Sequence, residues 1–222
     1  MITNFNRVLF DYDGTILIHN KETEPKDIAQ ILNLSDEKEI IFERELVKFW
    51  TNYSNAFKGH RITYDLYFQV VENMIPSLKS FKITPQEFIE AVEYKNSKKS
   101  HIAEGLVDTL EYLIDKGYKL CVCTNGFYNL QVQSMKNHDV FKYFEEVYAW
   151  DGNYPKPDLR FMKKALSGTN PKSNVMIGDN LVSDIQMAKR AGVFSILYKT
   201  RTSENIKPDI CIENMCELKN IL

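Results

Sequence analysis

Two aspartates one residue apart, Asp11 and Asp13, follow a short apolar run, Val8-Leu9-Phe10, and precede Gly14. The apolar run reads as a buried strand. Side chains two apart on an extended chain point the same way, so the two acids are expected side by side where the strand ends. Gly14 lets the backbone turn at once. Two like charges this close are unfavourable unless a cation lies between them or one is protonated. The chemistry on offer is that of a divalent metal, a proton, or both.

More polar residues stand just beyond other apolar runs. Thr124-Asn125-Gly126 follow 118–123. Lys156 lies in Pro155-Lys156-Pro157-Asp158, after 146–149. Asp179 and Asp184 follow 174–177. If these runs are parallel strands, their carboxyl ends share one crevice, where ligands of open α/β sheets bind. Four carboxylates and one lysine carry a formal charge of −3, and a divalent cation brings it to −1. A phosphate dianion would be repelled without the cation. Hard oxygen ligands favour Mg²⁺. Zinc is disfavoured, because no His or Cys lies in any of these stretches.

The elements that must hold these residues follow from the pattern of the chain. From about Leu17 to His101 there is no strand-like alternation, and the segment reads as helices. Phe42, Leu46, Phe49, Trp50, Tyr53 and Phe57 form one stripe of an amphipathic helix starting near Ser35. Tyr64, Tyr67, Phe68, Val71 and Ile75 mark a second, with Thr63 as N-cap and Pro76 near its stop. Thr84-Pro85-Gln86-Glu87 offers the N-cap, N1 proline and capping-box acid of a third. Beyond Ile102, helix and strand alternate. Helices are expected around Leu106–Leu113, Leu130–Asn137, Phe161–Leu166 and Ser183–Ala191, and a last strand at Asp209–Ile212. Such alternation means a parallel sheet with helices on both faces. The first strand needs partners and belongs to that sheet. Residues 1–16 and 102–222 therefore read as an α/β, Rossmann-like core, and 17–101 as an inserted α-helical cap.

Bulk properties exclude other classes. The chain has 222 residues and a net charge of −2, with no basic tract for nucleic acid. No apolar run approaches membrane-spanning length, and the N-terminus lacks a signal peptide's apolar core. A cytoplasmic protein is expected, monomeric or weakly dimeric, whose partner is a small molecule. The cysteines, Cys121, Cys123, Cys211 and Cys216, lack CxxC spacing and read as buried free thiols.

Asp11-x-Asp13-Gly14-Thr15, then Thr124, then Lys156-Pro157, then Gly178-Asp179-(x)4-Asp184 resemble the four motifs of the haloacid dehalogenase-like hydrolase superfamily, in its order. The resemblance covers essentially the whole chain and implies roles. Asp11 would be the nucleophile, forming an aspartyl phosphate. Asp13 would protonate the leaving oxygen and then activate water. Thr124 and the amides of Asn125 and Gly126 would hold phosphoryl oxygens, and Lys156 would offset charge. Asp11, the Asp13 carbonyl and Asp179 would bind Mg²⁺, with Asp184 a ligand through water or a support. Thr15 would cap the turn or touch phosphate. Asp13 favours phosphoryl chemistry, since members that dehalogenate carbon lack the second acid.

A narrower likeness is to pyrimidine 5′-nucleotidases, carried by Thr124-Asn125-Gly126-Phe127 and by Trp50-x-x-Tyr53 with Ile62-Thr63. The resemblance implies a Mg²⁺-dependent phosphatase for a small phosphorylated metabolite, a nucleoside monophosphate first. A phosphomutase, a phosphoglycolate-type phosphatase and a non-catalytic binding protein are the rivals. Cap aromatics such as Trp50 and Tyr67 read as the cap's own core. Lys58, His60 and Arg61, in an inter-helix turn, are the candidates for meeting an anionic substrate. The sequence departs from the family at Leu159, where a second proline is common, and in the approach Trp150-Asp151-Gly152-Asn153 to the lysine.

Overall fold

The computed structural model describes residues 5–19, 25–56, 64–150, 154–200 and 202–222. In chain order, β1 (Arg7–Phe10) and β2 (Leu17–His19) precede α1 (Pro25–Ile31), α2 (Asp36–Ala56), α3 (Tyr64–Met74), α4 (Ser77–Ser80) and α5 (Pro85–Lys99). There follow β3 (Ser100–Ile102), α6 (Leu106–Asp115), β4 (Lys119–Phe127), α7 (Tyr128–Asn137), β5 (Glu146–Trp150) and α8 (Leu159–Leu166). The chain ends with β6 (Asn174–Gly178), α9 (Met187–Arg190), β7 (Phe194–Tyr198), β8 (Ile210–Ile212) and α10 (Leu218–Ile221). Two compact units result. One is built from Met1–Ile18, His101–Trp150 and Tyr154–Leu222, the other chiefly from His19–Ser100.

The first unit is a six-stranded sheet in the order β5-β4-β1-β6-β7-β8, every pairing parallel. β1 lies in the middle, Val8 beside Leu120 on one flank and Val175 on the other. Alternation sends Val8, Phe10, Val122 and Ile177 to one face, onto Leu106, Leu110 and Leu113 of α6. It sends Leu9, Cys121, Cys123 and Met176 to the other, onto α8 and α9. Both faces are covered, which is why the strands read as unbroken apolar runs rather than alternating ones.

Three details depart from the reading of the sequence. β2 and β3 pair as a two-stranded ribbon inside what read as helix, since three residues are too few to display a period of two. The Ala103 amide donates to Ile16 O at 2.9 Å beside this ribbon. β4 continues through Thr124-Asn125-Gly126 to Phe127, and its register against β5 breaks between Thr124 and Phe127. The helix after Asp179 is α-helical only over α9, because Leu181–Gln186 is wound as a wider π-helix.

The second unit is helical, and α2 carries its stripe inward. Phe42, Leu46 and Phe49 are fully buried, and the Phe49 ring meets those of Tyr67 and Phe88 edge-on. Trp50 differs from the expectation. It is 38 % exposed, at the stripe's edge, with Lys95 Nζ 5.4 Å from its ring. The capping box of α5 forms in both directions. Thr84 Oγ1 accepts from Glu87 N at 3.2 Å and Thr84 N donates to Glu87 Oε2 at 2.7 Å. Phe57, Thr63 and the side chains of Tyr53 and Tyr64 lie outside the described residues. All four cysteines are free, but only Cys121 and Cys123 are buried. Cys211 points outward from the edge strand β8 and Cys216 lies in the turn before α10, so neither reaches a core. Among the described residues, no helix is long and apolar enough to cross a membrane.

Candidate active site

Asp11 continues the ladder of β1 by one residue, its amide donating to Ile177 O at 2.8 Å. It shares parity with Leu9, so its side chain falls on the α8 face. Tyr12 O accepts from the amides of Ile16 and Leu17, both at 2.9 Å, closing a tight loop. Gly14 sits in that loop at φ +88°. A Cβ there would overlap the carboxylate of Asp179, so the turn and the close approach both require glycine.

Lys156 enters from the loop before α8. Its Nζ lies 2.5 Å from Asp11 Oδ1 and 2.6 Å from Asp184 Oδ1, all three groups being buried. The loop is fixed by Asn125, which sequence reasoning credited only with a backbone amide. Asn125 Oδ1 accepts from Lys156 N at 2.7 Å, and its Nδ2 donates to Lys156 O at 3.1 Å. The end of β4 thereby sets where the lysine stands. Thr124 is buried beside it, and its Oγ1 accepts from Gly126 N at 3.0 Å.

Asp184 stands in the first turn of its helical segment but not at the surface. It is fully buried in the π-helical segment, a winding that recurs at functional sites. Asn180 supports it. Asn180 N donates to Asp184 Oδ2 at 3.1 Å, and Asn180 Oδ1 accepts from Val182 N and Ser183 N. Gly178 is packed so tightly beneath Asp184 that a Cβ would overlap its carboxylate. Thr15 is buried and bridges two acids, its Oγ1 3.3 Å from Asp11 Oδ2 and 3.5 Å from Asp179 Oδ1.

Carboxylate oxygens of Asp11, Asp179 and Asp184 all lie within 4.8 Å of one another. The Asp13 carboxylate is not in this group. It is exposed, and its Oδ2 accepts from Gln131 Nε2 at 3.1 Å. Its charge still acts on Asp11, but from a loop and not from an extended chain. The loop begins directly after Asp11, so the period-two rule no longer holds at Asp13. Lys58, His60 and Arg61 lie outside the described residues.

Burial pushes the Asp11 pKa well up, and the charge of Asp184 adds to this, against the pull of Lys156. Burial and Asp184 likewise raise Asp179. Burial opposes the charge on Lys156, but Asp11 and Asp184 together override it and hold the proton on the amine. The lysine is thus a fixed cation, and the unfavourable charge falls on the carboxylates. Three carboxylates against one ammonium leave −2. The donors are hard oxygens gathered at one point, the set a divalent cation of the Mg²⁺ kind prefers.

Sequence reasoning missed Gln131 and the clamp of Asn125. Only the position of Gln131, one turn into the helix after the Thr124 motif, could have signalled it.

A parallel α/β sheet carrying a buried acid–lysine pair at its carboxyl edge defines the class of fold and site. The family model described as haloacid dehalogenase-like hydrolase matches residues 8–198, and the chain belongs to that family. Pyrimidine 5′-nucleotidase PynA of Streptococcus pneumoniae is 32% identical over 46% of this chain and 44% of its own length. The chain thus spans less than half of that relative. Pyrophosphatase PpaX of Halalkalibacterium halodurans is 26% identical over 98% of this chain and 96% of its own length. The crystal structure of a HAD phosphatase from Thermococcus onnurineus superposes with a TM-score of 0.65 at 26% identity, covering 98% of this chain and 97% of that one.

Proposed function

We propose that the protein is a phosphoric monoester hydrolase acting on a small phosphorylated metabolite, with a nucleoside monophosphate as the first candidate. The observation that carries this reading is Asp11, buried and ion-paired to Lys156, with a second acid, Asp13, two residues on. Asp11 attacks phosphorus as the bond to the leaving oxygen breaks, giving an aspartyl phosphate. Asp13 gives its proton to that oxygen. It then takes a proton from water, whose oxygen attacks phosphorus and returns Asp11 to the carboxylate. Lys156 offsets charge on the nucleophile and the phosphoryl group. The Thr124 hydroxyl and the amides of Asn125 and Gly126 hold phosphoryl oxygens, the last after leaving Thr124 Oγ1.

Asp11, Asp179 and the Asp13 carbonyl would hold Mg²⁺, with Asp184 behind them. When bound, the ion acts as a Lewis acid toward a phosphoryl oxygen. The inserted helical residues 17–101, with Lys58, His60 and Arg61, would select the substrate. The name of PynA supports a nucleotide. Inorganic pyrophosphate is a second reading, favoured by the nearly full-length match to PpaX.

The test is phosphate release from p-nitrophenyl phosphate, nucleoside monophosphates, sugar phosphates and pyrophosphate, with Mg²⁺ and with a chelator. Release that needs Mg²⁺ and vanishes in Asp11→Asn is expected. Full activity of Asp11→Asn, or no release from any ester, would sink the reading.

A further inference from the structure

The segment carrying Asp11 and Asp13 is gripped from one side by α7. Helical side chains lean toward their helix's N-terminus, so Gln131, in the first turn, reaches back over Gly126. Its path is so close that a Cβ on Gly126 would overlap the amide. Nε2 then meets Asp13 Oδ2 at 3.1 Å. Three residues on, and so on the same helix face, Ser134 Oγ accepts from the Tyr12 hydroxyl at 2.8 Å. Tyr12 is buried and anchors the backbone of the loop, whereas the Asp13 carboxylate is exposed. The other end of the Gln131 amide, Oε1, is enclosed without a partner among the described residues. An enclosed acceptor without a protein partner contributes nothing to the stability of the fold.

We infer that Gln131 is a positioning residue, whose amide fixes the Asp13 carboxyl in the orientation from which it hands a proton to the leaving oxygen. The inference rests on the phosphatase reading and deepens it. Misplacement of a reacting group by an ångström costs on the order of 100-fold in rate. That loss falls where a proton is needed. An alkyl leaving group must be protonated as it departs, and an activated aryl leaving group need not be.

The test is Gln131→Met, equal in length and without the hydrogen bond. kcat/KM is measured on an alkyl phosphate and on p-nitrophenyl phosphate, alongside a thermal melt. The expected result is a loss of about 10- to 100-fold on the alkyl ester, less than about threefold on the aryl ester, and a melting temperature unchanged or raised. Equal losses on both esters, or unaltered kinetics on both, would overturn the assignment while leaving the phosphatase reading intact. Wild-type protein that hydrolyses neither ester would overturn both.

Discussion

Among the described residues Lys156 is the single cation inside a group of three acids, and its removal is the sharpest perturbation the geometry allows. Lys156→Met keeps the stem and deletes the charge. Two contacts vanish, at 2.5 Å to Asp11 and 2.6 Å to Asp184, and all three groups are buried. Removing one partner of a buried ion pair costs about 3–5 kcal/mol, since it leaves an uncompensated charge. For a chain of this size each kcal/mol is about 2–4 °C, so the melt should fall by about 6–20 °C. The loss should depend on pH. Asp11 and Asp179 have raised pKa values in the folded state. Their contribution is fully present below the unfolded carboxylate pKa and is lost as pH rises through the folded values. Without the ammonium these values rise further, so the deficit of Lys156→Met should widen from pH 5 to pH 8. A divalent cation should restore stability to the variant more than to the wild type, and should not restore hydrolysis. The assay is differential scanning fluorimetry with Mg²⁺ or a chelator across that pH range. A metal-free variant melting within a degree of wild type at every pH would refute the account of the site as acids held by one amine.

Three further outcomes are expected. Mg²⁺ at a concentration a hundredfold over its Kd at pH 8 should stabilise the wild type by about 2.7 kcal/mol, and the same concentration should stabilise it less at pH 5 because protons compete for Asp11 and Asp179; an opposite pH trend in the melts would contradict the ligand set. Gly178→Ala places a methyl group against the Asp184 carboxylate and should lower kcat by more than about tenfold, as misplaced groups do; a variant as active as wild type would show that Asp184 need not stay where it is. Thr84→Ala removes the side-chain arm of the capping box of α5 and leaves the arm from the backbone amide to Glu87; it should cost about 1 kcal/mol in stability, read by urea denaturation, with phosphate release from p-nitrophenyl phosphate unchanged.

The sheet was legible because parallel strands covered on both faces are written as short apolar runs, and each ends in a visible turn. The capping box was legible because it is local, three residues from Thr84 to Glu87. β2 and β3 were not, because a strand of three residues has no period to show. The exposed Trp50 was not, because a stripe of spaced aromatics fixes the centre of a helix face but not its edge. In the site, the residue types of Asp11, Lys156, Asp179 and Asp184 announced themselves, and the structure brings those four together. What holds them was hidden. Asn125 acts through its side chain on the backbone of Lys156, thirty-one residues later, and no spacing rule links the two. Gln131 and Asp13 meet over 118 residues for the same reason. Gly14 read as a turn former, whereas it and Gly178 are each also the floor beneath a carboxylate.

Strand parity ties these pieces to one another. Val8 and Phe10 face α6, Leu9 faces α8, and Asp11, next in the odd series, meets a lysine that arrives from the α8 side. Tyr12, in the even series, goes to the opposite face and is held by Ser134 of α7. The loop is therefore pinned on both faces of the sheet by adjacent residues, the acid from one and the ring from the other. A one-residue slip of β1 against β4 and β6 would exchange the two faces, burying Val8 where Leu9 belongs and turning the carboxylate away from Lys156. Register in this sheet is enforced by apolar packing, and the same packing decides which face receives the charge. The chemistry at the carboxyl edge is thus set by the residues of β1 directly upstream, the apolar Val8, Leu9 and Phe10 together with Arg7, whose buried guanidinium donates to Ala165 O on the α8 face.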